Sequence, residues 1–135
     1  MPPTAGLARQ DPLEPRIVSF PCGDVLLRGW FYQARRGGRA PAILWNHGSE
    51  RNPDHVPALG HFYVSRGYAL LVAHRHGHGL SPGEYPLDLI RAEARTRAAA
   101  PGDYRREVIA RLIDLHRRYL LDTVAAVRWL AQLPC

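Results

Sequence analysis

The chain of 135 residues has no lysine: all 18 basic residues are arginine, against 12 acidic ones, for a formal charge of +6. The arginines run from Arg9 to Arg128 without gathering into one block. That leaves no basic patch interleaved with aromatics of the kind that tracks a nucleic-acid backbone, and no nucleic-acid partner is expected. Cysteine is scarce too. Cys22 and Cys135 make neither a C-x-x-C pair nor a disulfide framework, which suits a reducing compartment. No stretch offers the roughly 18 uncharged apolar residues of a membrane span. The opening MPPTAGLARQDPLEP carries proline and charge where a secretory signal needs an apolar core. These absences predict a cytoplasmic protein with no membrane partner. Neither G-x-G-x-x-G nor a P-loop occurs, so no cofactor is expected.

What is present reads as one modest globular domain, with 46% hydrophobic and 22% charged residues. Residues 1–15, with Pro2, Pro3, Pro12 and Pro15, read as a flexible leader. Residues 16–135 form the folded unit. Ile17 to Phe20 and Val25 to Tyr32 suit the strands of an antiparallel hairpin joined through Pro21-Cys22-Gly23-Asp24. The run Ala42 to Asn46 lacks alternation and predicts a strand buried on both faces. Val56 to Arg66 predicts a helix burying Leu59, Phe62 and Tyr63, with Gly67 as its stop. The apolar run Tyr68 to Ala73 then completes a βαβ unit with parallel strands. Pro86 to Ala100 predicts a second helix, either a lid over a pocket or a solvated connector, broken at Pro101-Gly102. Asp103 can cap a last helix to about Leu133, ended by Pro134. Its apolar face is expected at Ile109, Leu112, Ile113, Leu120, Val124 and Val127. The fold class is α/β.

The segment Gly79-Leu80-Ser81-Pro82-Gly83 matches G-x-S-x-G, the pattern of a nucleophile elbow. An elbow needs a strand running straight into the serine, a helix straight out of it, and a backbone N–H on the next residue. Here that residue is Pro82, which has no N–H. HRHGHGL separates Ser81 from the strand, and Gly83 to Pro86 delay the helix. Ser81 is therefore read as part of a surface turn. His74, His76 and His78, spaced by two, would face one side of an extended segment and suit a metal, but Gly77 and Gly79 favour a turning loop and no further ligand is fixed. No metal is assigned. His47, His55, His61 and His116 are taken as surface or hydrogen-bonded residues.

The strand ending in Asn46-His47-Gly48-Ser49, the helix and strand after it, and the loop His74 to Gly83 together resemble the first half of the α/β-hydrolase fold. In that superfamily the loop after the fourth strand commonly reads D-x-R-G-x-G-x-S. Gly77, Gly79 and Ser81 match it, whereas His74 and His76 replace the usual Asp and Arg. The closing DTVAAVRWLAQLP (Asp122 to Pro134) resembles the helix before the nucleophile strand in the dienelactone-hydrolase-like and prolyl-oligopeptidase-like branches. The resemblance covers about residues 16 to 134. It implies a partial α/β-hydrolase fold: an N-terminal hairpin, a βαβ unit and C-terminal helices, truncated before the nucleophile strand. It also implies a serine-hydrolase segment whose intact form cleaves an ester, lactone or peptide bond through an acyl-enzyme. This chain would carry the oxyanion element at His47, Gly48 and Ser49 but no catalytic triad. The rival readings are a non-catalytic remnant or interaction module and a His-loop metal-binding domain. An apolar strand from Ile43 to Asn46 left as a sheet edge would expose unpaired backbone groups, so self-association and poor solubility are expected of the isolated chain.

Overall fold

A computed structural model describes residues 13–35 and 38–133. Residues 1–12 of the expected leader, Pro134 and Cys135 lie outside that range. The chain order is β1 (Arg16–Cys22), β2 (Val25–Tyr32), β3 (Ala42–Asn46), α1 (Pro57–Val64), β4 (Ala69–His74), α2 (Pro86–Arg97) and α3 (Asp103–Ala131). The four strands form one mixed sheet in the order β1-β2-β4-β3. The hairpin pairs Arg16 with Phe31 through to Cys22 with Val25. β2 lies antiparallel to β4, and β3 lies parallel to β4 across the α1 crossover. The architecture is α/β, as the alternation of runs predicts.

Residue alternation along β4 divides the core between two faces. Ala69, Leu71 and Ala73 join Val18, Phe20, Leu27 and Phe31 beneath Ala125 and Ala126 of α3. The Trp129 ring closes that side, edge-on to Phe31 at 5.3 Å between centroids. Leu70 and Val72 face the other way, where Tyr32 and Val64 of α1 meet them. Covered on both faces, β4 has no exposed position, hence its unbroken apolar run. Helix α1 comes close to the sheet through Gly60, where a Cβ would fall within the Tyr32 ring. Helix α2 rests on α3 and buries Ile90 and Ala94.

Three burial expectations are corrected. β3 is not buried on both faces: it is the sheet edge, with Trp45 and Asn46 exposed, because among the described residues only β4 pairs with it. In α1 the buried residues are Gly60 and Val64, while Leu59 and Tyr63 are half-buried and Phe62 is exposed. The inward line of this short helix passes through its smallest residue, which turns Phe62 outward. In α3 the expected face is the wrong one. Ile109, Ile113, Leu120, Val124 and Val127 are exposed and Leu112 is half-buried, while the buried side carries Tyr119, Asp122, Ala125 and Ala126, the two alanines against the sheet. Small alanines let the helix approach closely, so that side wins the contact. Gly102 stands at the N-cap of α3, and the Asp103 carboxylate accepts the Ala100 N–H at 3.1 Å. Among the described residues no helix is long and apolar enough to cross a membrane.

Candidate functional site

The polar residues gather where β3 and β4 end. β3 delivers His47 into the segment 47–56, β4 delivers His74 into the segment 75–85, and α3 supplies Tyr119 and Asp122 from beneath. The second segment folds back on itself with the Gly77 N–H donating to the Pro82 carbonyl at 2.8 Å. Gly77 has φ +73, and a Cβ there would strike the Glu84 carbonyl, so glycine is required.

This segment holds the first one by its carbonyl oxygens. Gly48 O accepts from His47 Nδ1 at 2.9 Å and from Arg75 Nη2 at 2.6 Å. Ser49 O accepts from the Tyr85 hydroxyl. Glu50 O accepts from His78 Nδ1 at 2.8 Å, and Arg51 O from the Gly79 N–H at 2.9 Å. Asp54 O accepts from His74 Nε2 at 3.0 Å. The Arg51 side chain adds a 2.8 Å pair with Asp88 and lies 4.1 Å from the Tyr85 ring centroid. Just beyond, Val56 sits at φ +51, a left-handed conformation that a β-branched residue adopts only at a cost of about 1–3 kcal/mol. The His74 grip two residues earlier helps hold it there.

These bonds fix the histidine tautomers. His47 Nε2 accepts the Arg75 backbone N–H at 3.2 Å, so Nδ1 carries the proton given to Gly48 O. His74 Nδ1 accepts the Leu80 N–H at 3.0 Å, so its proton is on Nε2. His78 gives its Nδ1 proton to Glu50 O, and its Nε2 lies 3.2 Å from the Tyr119 hydroxyl, which donates to the His76 carbonyl at 3.3 Å. All three rings are neutral. Burial, reinforced by the Arg75 charge, lowers the His47 pKa to about 4. Burial also lowers those of His74 and His78, and it raises that of Tyr119 to about 12.

His76 turns the other way. Its Nδ1 lies 2.8 and 2.9 Å from the two oxygens of Asp122, which also accepts the His76 backbone N–H at 2.9 Å and the Cys22 thiol at 3.5 Å. Burial, then the Asp122 charge, raises the Cys22 pKa, so this thiol stays protonated and unreactive. The three closely spaced histidines thus serve three different partners. Among the described residues no group of three His, Cys, Asp or Glu is disposed to hold a metal.

Ser81 is not in a surface turn, and that expectation is corrected: it is buried. Its Oγ accepts the Arg28 N–H at 2.9 Å and donates to the His74 carbonyl at 2.5 Å. The hydroxyl is a tie between β2 and the end of β4, and Ser81 sits in a loop rather than between a strand and a helix. His55 pairs with Asp54 at 2.7 Å, His116 donates to Leu112 O at 2.8 Å and His61 is exposed. Of the expected oxyanion residues, His47 is buried, while Gly48 and Ser49 are exposed at the strand end. Sequence reasoning passed over Arg75, Tyr119 and Asp122 as site residues. Only Asp122 left a signal, a carboxylate three, four and seven residues before Ala125, Ala126 and Trp129, on the buried stripe of α3.

No family model matches the chain, and no curated protein matches it. Solved structures do resemble it. DcsB, determined in complex with a substrate analogue, superposes with a TM-score of 0.58 at 18% identity, over 90% of this chain and 33% of DcsB. The acylaminoacyl peptidase of Pyrococcus horikoshii gives a TM-score of 0.46 at 20% identity, over 80% of this chain and 17% of the peptidase. The chain therefore spans about a third of the length of DcsB and less of the peptidase. At such identity it is the fold that is shared with part of DcsB.

Proposed function

We propose that this chain is the N-terminal portion of an α/β-hydrolase-fold serine hydrolase that cleaves an ester, lactone or peptide bond through an acyl-enzyme, and that it contributes the oxyanion loop. One observation carries the reading. The carbonyls of four consecutive residues, Gly48 to Arg51, are all held by the segment 75–85. No peptide bond in the described residues is cis. In a trans peptide the N–H points opposite to the C=O. Each held carbonyl thus turns the next N–H, from Ser49 onward, away from its anchor, and the Ser49 and Glu50 N–H groups make no hydrogen bond among the described residues. Donors fixed before reaction stabilise a developing oxyanion without reorganising, and one such donor is worth about 10²–10³ in kcat. The element is His47-Gly48-Ser49, with His47 as the brace and the Ser49 N–H as the donor.

The triad is assigned to no residue of this chain. Ser81 is committed to structure, and His47, His74 and His78 have both ring nitrogens engaged. The His76–Asp122 pair orients an imidazole as a triad acid does, but no serine stands beside it in any contact described. The substrate is a small ester, lactone or peptide met by the intact protein, and no cofactor takes part. Two experiments test the reading. The purified chain treated with a fluorophosphonate should remain unlabelled, since labelling at Ser81 would overturn its structural role. The encoding DNA read past codon 135 should continue, in frame or after one frameshift, into a strand and a new G-x-S-x-G; unrelated sequence there would sink the hydrolase reading. A second reading, a non-catalytic interaction module, draws on the open β3 edge and the bare apolar stripe of α3.

A further inference from the structure

Burial separates two arginines from the rest. Among the described residues every arginine is exposed except Arg75 and Arg111, which are half-buried. Arg111 answers its desolvation with Glu93 at 2.9 Å and Glu107 at 3.7 Å. Arg75 has no carboxylate at ion-pair distance among the described residues. Its Nη2 donates to Gly48 O, its guanidinium carbon lies 4.8 Å from the Tyr119 ring centroid, and its Nε is buried without a partner. Asp122 and Glu50 attract it only from a distance. A guanidinium cannot discharge, so a cation withdrawn from water without an opposite charge carries an unrelieved cost. The flanking His47 and His78 rings are neutral and leave Arg75 as the local positive charge. It stands where the parallel strands β3 and β4 end, the place where open α/β sheets bind ligands.

We propose that Arg75 binds a carboxylate carried by the ligand, so that the substrates are acyl compounds bearing a free acid group. This rests on the reading of Gly48-Ser49 as the oxyanion loop. A planar carboxylate matches the guanidinium fork, which the flexible point charge of a lysine would not. Arg75 grips the Gly48 carbonyl and the Ser49 N–H leaves the opposite side of the same peptide, so a ligand that meets both must span that one peptide plane.

The test uses the full chain, labelled with nitrogen-15 and titrated with monomethyl succinate and with dimethyl succinate, esters that differ by one negative charge. The Arg75 Nε–H resonance reports on this proposal and the Ser49 amide on the oxyanion reading. The monoester is expected to bind roughly tenfold more tightly and to shift both resonances, while the diester shifts Ser49 alone. Arg75→Gln should bring the two affinities together, and Arg75→Lys should keep part of the preference. Equal affinities in the unsubstituted chain, or an unmoved Arg75, overturn the proposal while Ser49 can still support the loop. An unmoved Ser49 beside an Arg75 that answers inorganic phosphate as well as the monoester leaves a plain anion site and removes the substrate class. If Arg75→Gln does not fold, the comparison of the two esters in the unsubstituted chain decides.

Discussion

The cluster at the ends of β3 and β4 and the outer face of α3 are made of opposite kinds of residues, and each lies where its polarity would not place it. His47, His74, His78, Ser81 and Asp122 are buried. Leu120 and Leu121, at 64% and 67% exposure, stand in solvent. The difference lies in partners. A polar group goes inside when it finds hydrogen-bond partners there: the carbonyls of Gly48, Glu50 and Asp54 serve the three rings, Arg28 and His74 serve Ser81, and His76 and Cys22 serve Asp122. An apolar residue stays outside when the helix has already spent its contact face, and α3 spends it on Ala125, Ala126 and Trp129. Depth in this chain follows complementarity more than hydropathy.

The strongest way to break the comparison is to remove the acid under the cluster. Asp122→Ala removes the acceptor of the His76 N–H, of its half-exposed ring and of the half-buried Cys22 thiol, and leaves a hole where the buried carboxylate stood. It should cost about 3 kcal/mol, a fall of roughly 10 °C in Tm by circular dichroism. A loss below about 1 kcal/mol would mean that water already serves those donors. Ser81→Ala comes next. It leaves the Arg28 N–H unpaired and should cost about 1–2 kcal/mol, with no effect on reaction with a fluorophosphonate.

Acid tests the same burial without a mutation. His47 is held neutral in the fold, with its pKa near 4, while in the unfolded chain it titrates near 6.5. As pH falls below 6.5 the unfolded state takes up a proton that the folded state refuses, so stability declines until about pH 4 and this ring adds nothing further below that. The loss should be on the order of 2 kcal/mol for His47, with His74 and His78 acting in the same direction. Urea midpoints measured from pH 7 to pH 4 read it directly. His47→Gln should start lower at pH 7 and give a flatter curve; an equal slope would place the titrating group elsewhere.

The elements were legible because their signals are local. The hairpin, the crossover helix and the break at Pro101-Gly102 each announce themselves within a few residues, and their observed ends differ by only a few positions. Which side of an element faces inward was less legible. Helix α3 carries two stripes, one of large aliphatics and one of alanines with Trp129, and spacing alone does not say which meets a sheet. The edge position of β3 is likewise set by which strands pair with it, among the described residues β4 alone, and not by Ala42 to Asn46 themselves. The site was least legible. Ser81 and Arg28 are 53 positions apart, and His76 and Asp122 are 46 apart, so neither partner stands near the motif that drew attention. The segment proposed as the oxyanion loop was singled out by its His-Gly pair, but the grip on its carbonyls depends on Arg75, Tyr85, His78 and Gly79 from another segment.

The smallest expected effect on stability sharpens the other half of the comparison. Leu120→Glu places a charge on the bare stripe of α3. An exposed site without partners tolerates this within about 0.5 kcal/mol, whereas the same change at the buried Ala126 would not fold. Its effect should appear in association. Helix α3 meets the end of the open edge strand β3 where the Thr123 hydroxyl donates to the Asn46 side chain at 3.3 Å. Exposed apolar side chains and unpaired backbone should draw copies of the chain together. Sedimentation velocity across a range of concentrations should show association in the unsubstituted chain and less of it in Leu120→Glu, at nearly unchanged Tm. A concentration-independent monomer would show that the arginine-rich surface keeps the copies apart in spite of the stripe. A large fall in Tm would show instead that Leu120 is covered in solution, and that α3 has found the partner for its second face.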